Sequence, residues 1–518
     1  MNIAVLFVLA LLPIMWLIVS LGVLKWPGYK ACPIAFGLTA ALAVFVWKLN
    51  LPDTLTAGLE GVALAIWPIT LVIIAAVFTY NLSLHTGGMD VIKRMITGVT
   101  TDKRILILIL AWGFGGFLEA IAGFGTAVAI PAGILVALGF NPLFAAVICL
   151  ISNTTPTAFG AIGIPVVTLA KVTGLDVSQL SYAVGIQLLP LVMLLPFAPV
   201  MLTGKSFKAV KGIFGITLVS GISFAVPQLL IAKYLGPELP AVVGAVCSMI
   251  CTVIAAKLFK GKAPVPKEYQ IQTAGAAKQE KITLKQGLMA WLPFILVFLF
   301  ILCSSTLIPP VNEALSAVKT SVQIFTGEGA KPYTFSWLAA PGTLIIIATY
   351  IGGMIQGVKF KTITGILLKT VKQLIKSTIT IVSIIALAKV MGYSGMINSI
   401  ATVLVMITGS FYPLVAPLIG ALGTFVTGSD TSANVLFGNL QSEAAKAAGA
   451  NPYWIAAVNT GGATAGKMIS PQSIAIAVAA TGLAGSEGKI LGSTIKVCAV
   501  YVVILGLISY FCSSLFGF

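Results

Sequence analysis

Apolar runs of bilayer length recur along this chain almost from end to end. They include Ile3–Leu24, Thr54–Leu84, Ala209–Tyr234, Leu239–Phe259, Leu288–Ile308 and Leu491–Phe516. A helix needs about 20 such residues to cross the hydrocarbon core. Inside lipid every backbone N–H and C=O must be bonded within the protein, so a continuous apolar run of this length has to be helical. A membrane β-barrel would alternate apolar and polar residues, and these runs do not. Charged residues make up 9% of the chain, against about 25% in a soluble domain. The fold class is therefore an all-α polytopic membrane protein. Its segments number about 12–16 by length, because Phe124–Phe140 and Ser432–Ala448 can either cross or re-enter.

The basic residues set a direction. The net charge is +17, but the lysines and arginines fall in short loops, as the positive-inside rule expects, which argues against a nucleic-acid partner. Lys93, Arg94, Lys103 and Arg104 share one loop. Lys205, Lys208 and Lys211 share another. The longest polar stretch runs from Lys257 to Lys285, and Lys359 to Lys376 forms a fourth group that reads as a surface helix. All four are expected to be cytoplasmic. Pro309–Thr334 has balanced charge and is expected outside, as is the N-terminus. No basic residue precedes Lys25, so the start does not read as a cleavable signal. The 7 cysteines are scattered without metal-ligand spacing and read as small core residues.

An internal repeat organises the rest. "NTTPTAFGAIGIP" from Asn153 and "NTGGATAGKMISP" from Asn459 share the Asn-Thr pair, a glycine (Gly160, Gly466) and a proline (Pro165, Pro471) at fixed spacing. "GFNP" at Gly139 answers "GANP" at Gly449, and "TGL" recurs at Thr173 and Thr481. Loop charge makes the two copies run in opposite directions. The expected divisions are N-terminal helices (1–53), repeat 1 (54–203, broken at 151–165), connecting helices (204–363, with a cytoplasmic loop at 259–287) and repeat 2 (364–518, broken at 459–471). Inverted repeats with matched interruptions mark secondary transporters. Broken helices free backbone groups at depth, and half-helix ends carry partial charge. Asn153, Thr154, Thr155, Asn459 and Thr460 would add side-chain partners for a substrate.

These residues resemble the bacterial lactate permease family. "GFGGFLEAIAGFGTAVAIPAGILVALGFNPLFAAVICLISNTTPTAFGAIGIPV", "GTFVTGSDTSANVLFGNLQ" and "NTGGATAGKMISPQSIAIA" carry the likeness, which covers nearly the whole chain. The resemblance implies proton-coupled uptake of L-lactate, with D-lactate and glycolate, across the inner membrane. "SNTTP" is also similar to motifs of sodium-coupled carboxylate transporters, which gives a second reading. Composition and spacing reach only a transporter of a small anion. There is no nucleotide or cofactor motif and no paired catalytic constellation, so an enzyme is disfavoured. A channel would show one polar stripe and no inverted repeat.

Lone charges in apolar segments are costly and so point to function. Glu119 is the only charge between Ile105 and Ala170, Asp430 the only one between Val390 and Ser442, and Lys467 the only one between Ala447 and Ser486. Lys467 lies in the second copy where that alignment puts Ala161 in the first. Repeat symmetry does not demand it, whereas an anionic substrate does. It is expected to contact the substrate or to pair with Asp430. Lys389 is a further substrate candidate, with snorkelling as the alternative. A coupling carboxyl must be buried to reload with a proton near neutrality, so Glu119 and Asp430 are the proton-coupling candidates. His85, the only histidine, is a third.

Overall fold

The computed structural model describes residues 2–17, 19–20, 24, 26–97, 100–121, 123, 125–204, 206–258, 265–271, 282–304, 308–328, 330, 332–483 and 486–518. Most of the loop expected at 259–287 lies outside them. Helices dominate, and the strands among the described residues are the hairpin Lys319–Val322 with Tyr333–Ser336. Among the described residues ten helices are long and apolar enough to cross a membrane, or eleven with the bent helix Phe360–Ser394. Shorter apolar helices at Ile3–Leu17, Ala127–Ala137, Pro142–Ser152 and Pro341–Ile355 accompany them. Phe360–Ser394 is one helix of 35 residues, bent by 51° between Lys376 and Thr378. The basic stretch read as a surface helix is the first half of this bent helix, and its lysines are exposed.

Eight helices build the centre. The first copy contributes α1 (Lys103–Ile121), α2 (Thr126–Ala137), α3 (Pro142–Ser152) and α4 (Gly160–Thr173). The second contributes α5 (Tyr412–Thr427), α6 (Asp430–Ala447), α7 (Pro452–Lys467) and α8 (Pro471–Thr481). α3 and α7 begin alike. Asn141 accepts from Phe144 N at 3.2 Å and Asn451 from Tyr453 N at 2.9 Å, and each is followed by a proline, which suits the first helical position because it has no N–H to satisfy. The sets interlock reciprocally. α4 lies along α6, where Asn434 Nδ2 donates to Pro165 O at 3.1 Å, and α8 lies along α2.

The two copies break differently. α3 stops at Ser152, Thr155–Phe159 forms a 3₁₀ turn, and Ala161, Ile162 and Gly163 have φ of 44°, 58° and 74°. Left-handed backbone costs an L-residue roughly 1–2 kcal/mol, and a β-branched isoleucine has a weak claim to it. α7, by contrast, is a regular helix through Asn459, Thr460 and on to Lys467. The interruption expected within 459–471 therefore falls at its C-terminal end, at 468–470. Gly462 and Gly466 explain the continuity: a Cβ on either would overlap the Pro417 or Ala421 carbonyl of α5. These glycines serve close helix packing and do not unwind the chain. Counting from the matched caps Asn141 and Asn451 sets Lys467 opposite Thr157, not Ala161.

Candidate functional site

α1, α5 and α7 end, and α2, α4, α6 and α8 begin, around a cavity of about 700 Å³, while α3 stops short of it and the chain reaches the cavity only at Thr157. Gly123 of the α1–α2 turn faces Ala161, Gly125 faces Ile476, Gly160 faces Glu119 and Gly428 faces Gln472. Two of the helix starts are capped by serine. Ser429 Oγ accepts from Ser432 N at 3.3 Å, and Ser470 Oγ from Ser473 N at 3.1 Å. Helix N-termini carry partial positive charge and favour an anion.

Lys467 and Glu119 meet here across the two copies. Lys467 Nζ donates to Glu119 Oε1, and the side chains are 11% and 4% exposed. Gly160 makes room for the pair, since a Cβ there would stand 3.1 Å from Glu119 Oε1. Glu119 Oε2 is buried and has no hydrogen-bond partner among the described residues. Asp430 lines the same cavity at the start of α6. Both of its oxygens are buried without a partner among the described residues. The expected Lys467–Asp430 pair is thus replaced by Lys467–Glu119, while Asp430 stays within electrostatic reach of both.

The other candidates are placed elsewhere. Lys389 Nζ binds Glu60 Oε1 at 2.8 Å, and Tyr393 Oη donates to the same oxygen at 2.8 Å. Lys389 is not among the residues that line the cavity. Phe325 stacks on Tyr393 at 3.7 Å between ring centroids, closing this cluster from the loop between the strands. His85 is exposed at the end of the helix Leu71–His85 and does not line the cavity. Asn153, Thr154 and Thr155 are buried behind the cavity wall, and Thr157 alone of that run reaches it. Asn459 is committed to packing: its amide binds Asn434 Oδ1 at 3.0 Å and accepts from Gln441 Nε2 at 3.1 Å. Thr460 is buried in the same helix turn.

The family model for L-lactate permease matches residues 6–516. The chain belongs to the L-lactate permease family. It is 55% identical to the L-lactate permease of Streptococcus iniae, over 87% of this chain and 93% of that one. It is 37% identical to the L-lactate permease of Bacillus subtilis (94% and 92% covered) and 36% identical to the glycolate permease of Escherichia coli (96% and 94%). Among solved structures, the efflux pump MtrF of Neisseria gonorrhoeae shares the fold, at 12% identity and TM-score 0.51 over 92% of this chain and 94% of that one.

In this family member the sequence signal missed several cavity residues. Thr427, Ser429, Thr431 and Ser432 flank Asp430, and Gln472 and Ser473 open α8. The hydroxyl-rich run "TGSDTS" carries their signal. Glu60 was missed as well. It sits inside the apolar run Thr54–Leu84, and its lone charge was the mark to follow.

Proposed function

We propose that this chain takes up L-lactate, and with it D-lactate and glycolate, by proton symport, its inverted repeats alternating access to the central cavity. The observation that carries this reading is the buried Lys467–Glu119 pair at the cavity where seven helix ends meet. A lone buried charge is expensive, so a buried site favours keeping its charges balanced. When empty, Lys467 is neutralised by Glu119. A 2-hydroxy acid anion arriving at Lys467 takes Glu119's place, and Glu119, left without its cation, takes a proton. Anion and proton then enter together, and the charge of Lys467 is balanced at each stage, first by Glu119 and then by the substrate. Asp430 stays beside Lys467 while Glu119 cycles, and the hydroxyls of Thr157, Ser429 and Ser432 offer partners to the substrate's oxygens. Relatives named for lactate and for glycolate support a site that holds the carboxylate and hydroxyl without requiring the methyl group.

The deciding experiment is uptake of labelled lactate into proteoliposomes, with proton and sodium gradients imposed separately. Accumulation driven by the pH difference alone is expected. Accumulation that follows sodium and ignores pH would overturn the coupling.

A further inference from the structure

A second built feature lies away from the cavity and takes no part in the transport scheme. Arg104 and Asp102, 3% and 2% exposed, form a two-point ion pair: Nε to Oδ1 at 3.1 Å and Nη2 to Oδ2 at 2.8 Å. The remaining Arg104 nitrogen, Nη1, donates to the backbone carbonyls of Ala209 and Lys211 at 2.8 and 3.2 Å. The Tyr269 ring covers the guanidinium at 4.2 Å. This clamp holds the turn at 206–213 through main-chain carbonyls and does not engage the side chains of Lys208 and Lys211.

Those side chains form a consistent surface. Lys208 and Lys211 are exposed; of the acids nearby, Asp102 is paired with Arg104 and Glu268 lies against the Tyr269 hydroxyl. Between the lysines and the helix ends runs a groove of about 600 Å³ walled by Leu194, Phe197, Met201, Phe214 and Leu218, with Lys211 at its rim. Phe207 is 82% exposed beside it. An apolar groove with Lys211 at its rim, in a basic loop, matches a lipid with a negative headgroup. The anionic leaflet attracts basic residues at the membrane surface, and exposed aromatic rings sit well at that boundary.

We infer that this turn and groove bind one anionic glycerophospholipid, its acyl chain between Phe197 and Phe214 and its phosphate at Lys208 and Lys211. The test is native mass spectrometry of the full chain released from mixed phosphatidylglycerol and phosphatidylcholine nanodiscs. Two surface lysines correspond to a preference of roughly tenfold or more for phosphatidylglycerol. The double variant Lys208→Gln, Lys211→Gln should lose the preference while lactate uptake persists, because the Arg104 clamp uses only main-chain carbonyls. Phe207→Ser should lower retention of both lipids and leave their ratio unchanged. Glycerol 3-phosphate should not displace the lipid, since it lacks the chain that fills the groove. An unchanged preference in the double variant overturns the inference. So does displacement by glycerol 3-phosphate, or dimers that disappear in Phe207→Ser in place of lipid adducts.

Discussion

Replacing Lys467 by methionine keeps most of the side-chain volume and removes the charge. If Lys467 receives the substrate carboxylate, the variant loses a hydrogen bond to a charged group, which contributes about 1.5–3 kcal/mol. That corresponds to a Kd weaker by roughly 10- to 150-fold. Solvent screening reduces this little, because Lys467 and Glu119 are only 11% and 4% exposed. The structure adds a second effect. Glu119 Oε2 already has no partner among the described residues, so removing Lys467 leaves a buried carboxylate with nothing to balance it. Breaking a buried pair from one side costs about 3–5 kcal/mol unless the acid takes a proton. Lys467→Met should therefore be less stable than the parent, and Lys467→Met with Glu119→Gln should recover much of the loss. Equilibrium binding of labelled lactate in detergent, together with thermal unfolding of the same samples, separates the two effects. Normal binding by Lys467→Met would exclude it from the substrate site. Failure of the double variant to regain stability would refute the charge-balance argument.

Glu119→Gln should abolish accumulation driven by a pH difference yet allow lactate/lactate exchange in proteoliposomes; full accumulation by this variant would remove Glu119 from coupling. Asp430→Asn should reduce both accumulation and exchange, and an effect on accumulation alone would assign the coupling proton to Asp430. Gly160→Ala places a Cβ 3.1 Å from Glu119 Oε1; overpacking of this kind costs about 1–3 kcal/mol, seen as a lowered melting temperature with weakened uptake, and a silent variant would show the pair has slack. Glu238, in the loop between the spans Phe214–Tyr234 and Pro240–Leu258, has its carboxyl pushed up to about 7 by burial. The folded chain then holds a proton that the unfolded one releases near its ordinary value of 4.5, so stability should fall as pH rises from about 4.5 to 7 and level off above. Glu238→Gln should flatten that part of a melting-temperature profile, and an unchanged slope would assign it to another group.

The sequence alone determined the class of fold, because continuous apolar runs in a bilayer have only the helix available to them. It also exposed Glu119, Asp430 and Lys467, since a charge inside such a run stands out against its background. It could not decide who pairs with whom. Glu119 and Lys467 are separated by most of the chain and come together only because α1 and α7 end at the same cavity, a matter of how the two copies interlock. Asp430 was the nearer candidate along the sequence and was left without a partner. Nor could the motif at Asn459 say whether its glycines loosen a helix or tighten a helix pair. Gly462 and Gly466 are compatible with both, and only the presence of the Pro417 and Ala421 carbonyls against them settles it as packing. Local composition records what each segment costs to bury, whereas pairing and packing depend on which surfaces the fold brings into contact.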